Sequence, residues 1–422
     1  MPRPHRRARL GLVVGPVLGA LLLALALAPS AALGAGTPRP TLPTPTEVID
    51  PALAVGGPRL AGMGVIADLP AGVPAPPAVR DVSWVIADAD TGEVLAAKAP
   101  HARLLPASTA KVLTALTLLP RVAPTRTHVV TSAEAHADGT RVGLVAGMTY
   151  SARQLFLAML MASANDAAYA LADLNGGRAE TLAEMNALAA HLGAHDTHIG
   201  DPAGLDAPGQ TSSAYDLALL GRAALADPAF RGYSTQRTAR FPMAPPSPSP
   251  GHPSPSWTGP RSYQIQNHNQ LLWTYPGTIG VKNGFTEAAQ RTNIAAATRN
   301  GRTYLVAEMH SVDYGWADPP KLLDWAFRYG ARVTPVGRLV DPGEVPVAPS
   351  AASAAAAGAR PAAGRTGATV TAGAGDHGPL IALEVPASWT TPLRTGGLVV
   401  AGLALLGGLG ALAGRARRAR HR

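Results

Sequence analysis

The sequence contains no cysteine. That absence excludes disulfides, a lipid-attachment cysteine, a thiol nucleophile and a cysteine-ligated zinc site, so any nucleophile in this chain has to be a hydroxyl. Lysine is nearly absent too. Lys98, Lys111, Lys282 and Lys321 stand against 32 arginines in 422 residues. In a chain that places arginine almost everywhere a cation is wanted, a retained lysine raises the question of what it does that arginine could not. The third scarcity is charge in the body of the chain. The formal net charge is +9, yet Arg3, Arg6, Arg7 and Arg9 at the front and Arg415, Arg417, Arg418, Arg420 and Arg422 at the end account for all of it. A neutral body has no basic stripe to hold phosphates, and nucleic acid drops from the expected partners.

Both basic ends adjoin apolar runs. Residues 1–35 have a positive start, an apolar run from Leu10 to Ala28 and then small residues, the pattern of an export signal with cleavage between Ala32 and Gly36. Thr395 to Gly414, "TGGLVVAGLALLGGLGALAG", carries no charge and matches the thickness of a bilayer core. The arginines after it mark 415–422 as a basic cytoplasmic tail. The expected arrangement is one transmembrane helix over 395–414 in the plasma membrane, with the folded body on the extracellular, cell-wall face.

Residues 36–78 are punctuated by proline and are expected to run extended. Regular structure is predicted to begin at "VSWVIADADTGEVLAAKAP", a hairpin turning at "DADTG". A helix should follow from Ser108 until Pro120 stops it, with Val112, Leu113, Leu116 and Leu119 at helical spacing. Helical patterns continue through "SARQLFLAMLMASANDAAYALADL", "ETLAEMNALAAHLG" and "TSSAYDLALLGRAALADP". The stretch from Phe241 to Pro260 is too proline-rich for a strand or helix interior and reads as a surface insertion. Strand-like runs joined by "RNGR" come next, and "PPKLLDWAFRYGA" is a final helix. The folded domain is therefore expected over 79–335, and 336–394 is a low-complexity linker. His191, His195 and His198 lie close in sequence, but Gly193 breaks a shared helix face, and no metal site is expected there.

Ser108 and Lys111 are three residues apart, on one face of a helix. Ser108 is expected at the helix N-terminus, where unpaired backbone N–H groups favour developing negative charge. A buried lysine with a depressed pKa can take the serine proton, whereas arginine keeps its own. Alone, the pairing is weak, because an N-cap serine beside a solvated lysine has the same spacing. Two further groups strengthen it: Ser163-Ala164-Asn165 between helical segments, and Lys282-Asn283-Gly284 at a strand end.

In that order, the three groups follow the pattern of the penicilloyl-serine transferases. The chain resembles the low-molecular-mass penicillin-binding proteins, the serine D-alanyl-D-alanine carboxypeptidases. The likeness extends to "DADTGEVLAAKAPHARLLPASTAK", "LFLAMLMASANDAAYALA", "EMNALAAHLG", "DPAGLDAPGQTSSAYDLA" and "NHNQLLWTYPGTIGVKNGFTEAA", and so spans about Val82 to Gly330. It implies an α/β fold, an antiparallel β-sheet flanked by helices with an inserted all-helical subdomain and the cleft between them. It also implies that Ser108 attacks the carbonyl of a penultimate D-Ala, that Lys111 is the base, and that Ser163 relays a proton. Asn165, Lys282, Asn283, Gly284, Phe285 and Thr286 would bind substrate, with the backbone N–H groups of Ser108 and Phe285 as the oxyanion hole. The implied partners are a peptidoglycan stem peptide ending in D-Ala-D-Ala and β-lactams as covalent inhibitors, with no cofactor.

One position departs from the family. Threonine, sometimes serine, is usual where this chain has Asn283, and that hydroxyl helps hold the substrate's terminal carboxylate. An asparagine amide donates from a longer arm, which implies altered carboxylate recognition or weaker β-lactam acylation, with Thr286 as a source of a compensating hydroxyl. A class A β-lactamase would need a glutamate for its deacylating water, and Glu180 and Glu184 read instead as solvated charges on an amphipathic helix. A D,D-endopeptidase, or a silent wall-binding homologue of the same fold, shares the motifs.

Overall fold

The computed structural model describes residues 49–243, 261–313 and 316–345. The segments read as signal peptide, transmembrane helix and basic tail lie outside these residues. Among the described residues no helix is long and apolar enough to cross a membrane.

The framework is one antiparallel sheet. Strands β1 (Val65–Ala67), β2 (Asp81–Asp88) and β3 (Glu93–Lys98) come from the front of the chain. After β4 (Thr127–Val129), β5 (Thr149–Ser151), β6 (Thr238–Pro242) and β7 (Ser262–Gln266), which form two separate ribbons, the chain returns to the sheet. It does so with β8 (Thr278–Thr286), β9 (Gln290–Arg299), β10 (Arg302–Ser311) and the short β11 (Gly337–Arg338). The order across the sheet is β1-β3-β2-β10-β9-β8, and β11 also pairs with β3. Front and back of the chain meet in the middle, where β2 pairs with β10.

All eight residues of β2 are buried, because each face of the sheet has a cover. Val85 and Ala87 join the larger core beneath the helical block, while Trp84 and Ile86 join a second core. That second core is closed by α9 (Asp318–Tyr329) through Leu322, Leu323, Trp325 and Ala326. The helical block between the two parts of the sheet contains α1 (Lys111–Leu118), α2 (Ser132–Ala135), α3 (Ala152–Met161), α4 (Asn165–Leu174), α5 (Arg178–His191), α6 (Ala214–Ala226) and α7 (Pro228–Ser234), and the single turn α8 (Leu271–Thr274) precedes β8. Side chains mark several helix starts. Ser151 and Gln154 form a capping box on α3, Ser213 accepts from the Asp216 N–H on α6, and Asp227 accepts from Ala229 and Phe230 on α7.

The hairpin, the central helices and the closing helix lie where the sequence predicts them. The "RNGR" turn also fits its chemistry: Asn300 and Gly301 both have positive φ, 51° and 75°, as a two-residue hairpin turn requires. Three details differ from expectation. The predicted helix from Ser108 opens as a 3-10 turn, Ala107–Ala110, and α-helical geometry begins at Lys111. Phe241 and Pro242 belong to β6, whose pairing with β7 brackets the proline-rich stretch; Met243 N–H donates to Arg261 O at 2.9 Å. Proline is tolerated there because the ribbon has only two strands and each presents an open edge. Finally, β1 lies within the segment read as extended and β11 within the linker, so ordered chain reaches beyond 79–335 on both sides.

Candidate active site

Ser108 lies on the 3-10 turn that feeds α1, and that turn is clamped from two directions. The Pro106 carbonyl accepts from Thr109 Oγ1 at 2.6 Å and from Thr292 Oγ1 of β9 at 2.8 Å. Ala107 is held at φ 48°, a conformation few non-glycine residues adopt. The turn then delivers Lys111 to the first position of α1, wholly buried.

Lys111 Nζ lies 2.9 Å from Ser108 Oγ, 2.7 Å from Asn165 Oδ1 and 2.5 Å from Ala203 O. Burial, then the Lys282 charge, pushes its pKa well below the usual lysine value, against the opposing pull of Asp201 and Asp166. This favours the neutral amine, which has two N–H donors and one lone pair. Asn165 Oδ1 and Ala203 O can only accept, and they take the two donors. The lone pair is left facing Ser108, whose O–H can donate into it. Arginine could not occupy this position and perform that exchange.

Ser163 stands at the corner between α3 and α4 with φ 57°, again strained for a residue with a side chain. Its Oγ accepts from Lys282 Nζ at 2.9 Å. Lys282 projects from β8, is buried, and also donates to Asn283 O at 2.6 Å; burial brings its pKa down to about 7. Asn165, at the start of α4, is fixed at both ends of its amide, since Nδ2 donates to Asp138 O at 2.7 Å. The three motifs therefore converge, and the two lysines bracket the two serines.

Gly284 explains how β8 reaches this cluster. A Cβ there would lie 2.5 Å from Thr292 Oγ1 and 2.7 Å from the backbone N of Ser108. Only glycine lets the strand run against the Ser108 amide. The next residue, Phe285, leaves its ring half in solvent. Thr286 Oγ1 donates to Asp206 Oδ1 at 2.9 Å and accepts from the Ala289 N–H at 2.9 Å, so the hydroxyl expected to compensate for Asn283 is already engaged.

Several contributors went unrecognised in the sequence. Asp201 accepts from the N–H groups of Ala203 and Leu205, at 2.8 and 3.1 Å, and so shapes the loop that aims Ala203 O at Lys111. Buried Asp166 accepts from the N–H groups of Val142, Gly143 and Leu144, and so holds the loop over Asn165. His268 flanks the lysines; its pKa is lowered by burial of the ring and by Lys282 and Lys111. The only available signal was indirect, since "DPAGLD" and "NHNQ" fall in stretches that match the family. The alternative glutamate is committed elsewhere: Glu184 pairs with Arg121 Nε at 3.0 Å and accepts from Asn175 Nδ2 at 2.7 Å. Among the described residues, the cluster of metal-ligating side chains is His101, Asp196 and Asp216 rather than the three histidines of "HLGAHDTH". His101 there uses both ring nitrogens within the protein, on Asp196 Oδ2 at 2.7 Å and Val55 O at 3.0 Å.

The family described as D-alanyl-D-alanine carboxypeptidase matches residues 71–311, more than half of the chain. The chain belongs to that family. D-alanyl-D-alanine carboxypeptidase DacB2 of Mycobacterium tuberculosis is 41% identical over 252 residues, 58% of this chain and 81% of that protein. A crystal structure of a D-alanyl-D-alanine carboxypeptidase from the same organism gives a TM-score of 0.58 at 38% identity, covering 65% of this chain and 100% of that one. The Streptomyces K15 DD-transpeptidase structure gives 0.55 at 26% identity, covering 60% and 100% respectively. All three D-alanyl-D-alanine carboxypeptidase motifs thus fall inside the matched region.

Proposed function

We propose that this protein is a serine D-alanyl-D-alanine carboxypeptidase that removes the terminal D-Ala from peptidoglycan stem peptides. The observation that carries the reading is the buried Lys111, with two of its three contacts pure acceptors and the third the Ser108 hydroxyl.

The Ser108 proton passes to the Lys111 lone pair as Oγ attacks the carbonyl carbon of the penultimate D-Ala. The oxyanion gathers on the backbone N–H groups of Ser108 and Phe285, donors of a kind that contribute about 10²–10³-fold each. When the tetrahedral intermediate collapses, the C–N bond breaks. The departing amine takes a proton from Ser163, which regains one from the proton that Lys111 took off Ser108, so that an ester is left on Ser108, Lys111 is neutral again and Lys282 keeps its charge. Water then attacks that ester as Lys111 accepts its proton, the bond to Ser108 Oγ breaks as Lys111 returns that proton to the serine, and the shortened peptide leaves. Lys282 supplies positive charge toward the substrate's terminal carboxylate, with Asn283 in the place of the usual hydroxyl. β-Lactams follow the first half of this path and remain as esters on Ser108.

The same reading places the enzyme outside the plasma membrane, exported by residues 1–35 and held by a single span over 395–414, with 336–394 as tether. It includes no nucleic-acid partner. The test is release of free D-alanine from a peptide ending in D-Ala-D-Ala. The wild-type protein should release it and be labelled by a fluorescent penicillin, and Ser108→Ala should do neither. Absence of both from the wild type would leave only a silent wall-binding fold.

A further inference from the structure

Beside the catalytic corner lies a groove of about 670 Å³ that the mechanism above does not use. One wall is the loop around Arg141 and Val142, and the other is the end of β7 with the chain through His268, Gln270 and Trp273. The Tyr263 hydroxyl donates to Val142 O and ties the two walls together. The inner end is Ala162, directly before Ser163. The His268 N–H donates to Met161 O at 2.8 Å, which anchors the second wall to the same corner. A ligand chain leaving Ser163 on this side therefore enters the groove.

The lining is one-sided in charge. Among the described residues no aspartate or glutamate contributes to it, and Arg141 is the one permanently charged side chain among them. Arg141 is exposed, and its Nη1 donates to Ala135 O at 3.3 Å, which orients the guanidinium and leaves its other N–H groups available. Lys282 lies near the His268 ring. Trp273 adds an indole 44% exposed to solvent. An arginine with free donors, an open aromatic face and no competing carboxylate make a site for an acidic peptide.

We propose that this groove is a subsite for the part of the stem peptide preceding the scissile bond, and that Arg141 pairs there with a free carboxylate on that segment. The proposal rests on the carboxypeptidase reading for which end of the peptide meets Ser108. Arg141 is a specificity-determining residue in this scheme and takes no part in bond breaking.

The test uses two synthetic peptides ending in D-Ala-D-Ala, identical except that an upstream side group is a carboxylate in one and its primary amide in the other. Titrated calorimetrically into the full-length Ser108→Ala protein in detergent, the carboxylate form should bind about tenfold more tightly. Adding Arg141→Gln should bring the ratio close to one. Equal binding of the two peptides, or a preference that survives Arg141→Gln, overturns the proposal. D-Alanine release by the wild type is measured in parallel and should show the same preference in KM. A wild type that releases nothing, while the Ser108→Ala protein keeps the Arg141-dependent preference, would sink the carboxypeptidase reading and leave the subsite standing.

Discussion

Lys111 and Lys282 are both buried lysines, yet the proposed mechanism asks opposite protonation states of them. Lys111 touches only acceptors besides Ser108, and its base role needs the neutral amine. Lys111→Arg should therefore abolish both acylation by penicillin and D-alanine release, a fall of about 10³-fold or more, even though positive charge is retained. Stopped-flow labelling would check it, and acylation at near-normal rate would remove Lys111 from the base position. Lys282 has to keep its proton to hold a carboxylate, and its pKa lies near 7. As pH rises through that value the cation is lost, so KM should climb on the alkaline side. In Lys282→Arg that limb should flatten, because guanidinium stays charged. A pH profile from about 5 to 9 distinguishes the two proteins.

At the scale of elements, the site depends on backbone approach as much as on side chains. β8 passes the Ser108 turn at a separation that leaves no room for one methyl group at position 284. Gly284→Ala should push the strand away from the Ser108 amide and lower acylation by about 10²-fold while far-UV circular dichroism stays native. Unchanged acylation would show that the two N–H groups do not act together. This dependence also explains what could be read in advance. The "DADTG" hairpin, α1 and α9 show in apolar periodicity, and Ser108, Lys111, Ser163 and Lys282 show in spacing. The carbonyls of Ala203, Asp138 and Pro106 carry no sequence signal, because any residue supplies a carbonyl and only the fold aims it. β1 and β11, three and two residues long, are too short for any periodicity to register. Asn165 is expected to bind substrate, and what the sequence does not show is that its amide is also held by Lys111 and the Asp138 carbonyl, partners distant in sequence.

At the scale of the whole molecule, the seam between the front and back halves of the sheet hides acid. Asp81 of β2 lies opposite Ser311 of β10, its carboxyl wholly buried beside Ser311 and Glu308. Burial, reinforced by nearby Asp318 and opposed by Ser311, Glu308 and Lys98, pushes its pKa up to about 7. The folded protein therefore keeps a proton that the unfolded chain releases near pH 4. Because the native state binds more protons across that interval, stability should fall as pH rises from about 4 to about 7 and then level off. Thermal unfolding should show Tm declining over this window, and Asp81→Asn, neutral at every pH, should reduce the slope. An unchanged slope in the variant would assign the effect to Glu308, whose pKa is also raised by burial and by Asp81.

The β6–β7 ribbon has an architectural consequence. Since the Met243 N–H donates to Arg261 O, the two ends of the intervening stretch are held side by side. The chain can lengthen, shorten or exchange its cargo there without resetting the register of Phe241 against Tyr263, and closing a longer loop adds only about 0.6 kcal/mol for each doubling of its length. The ribbon works as a socket, in that its own strand pairing holds together whatever length of chain joins its two strands.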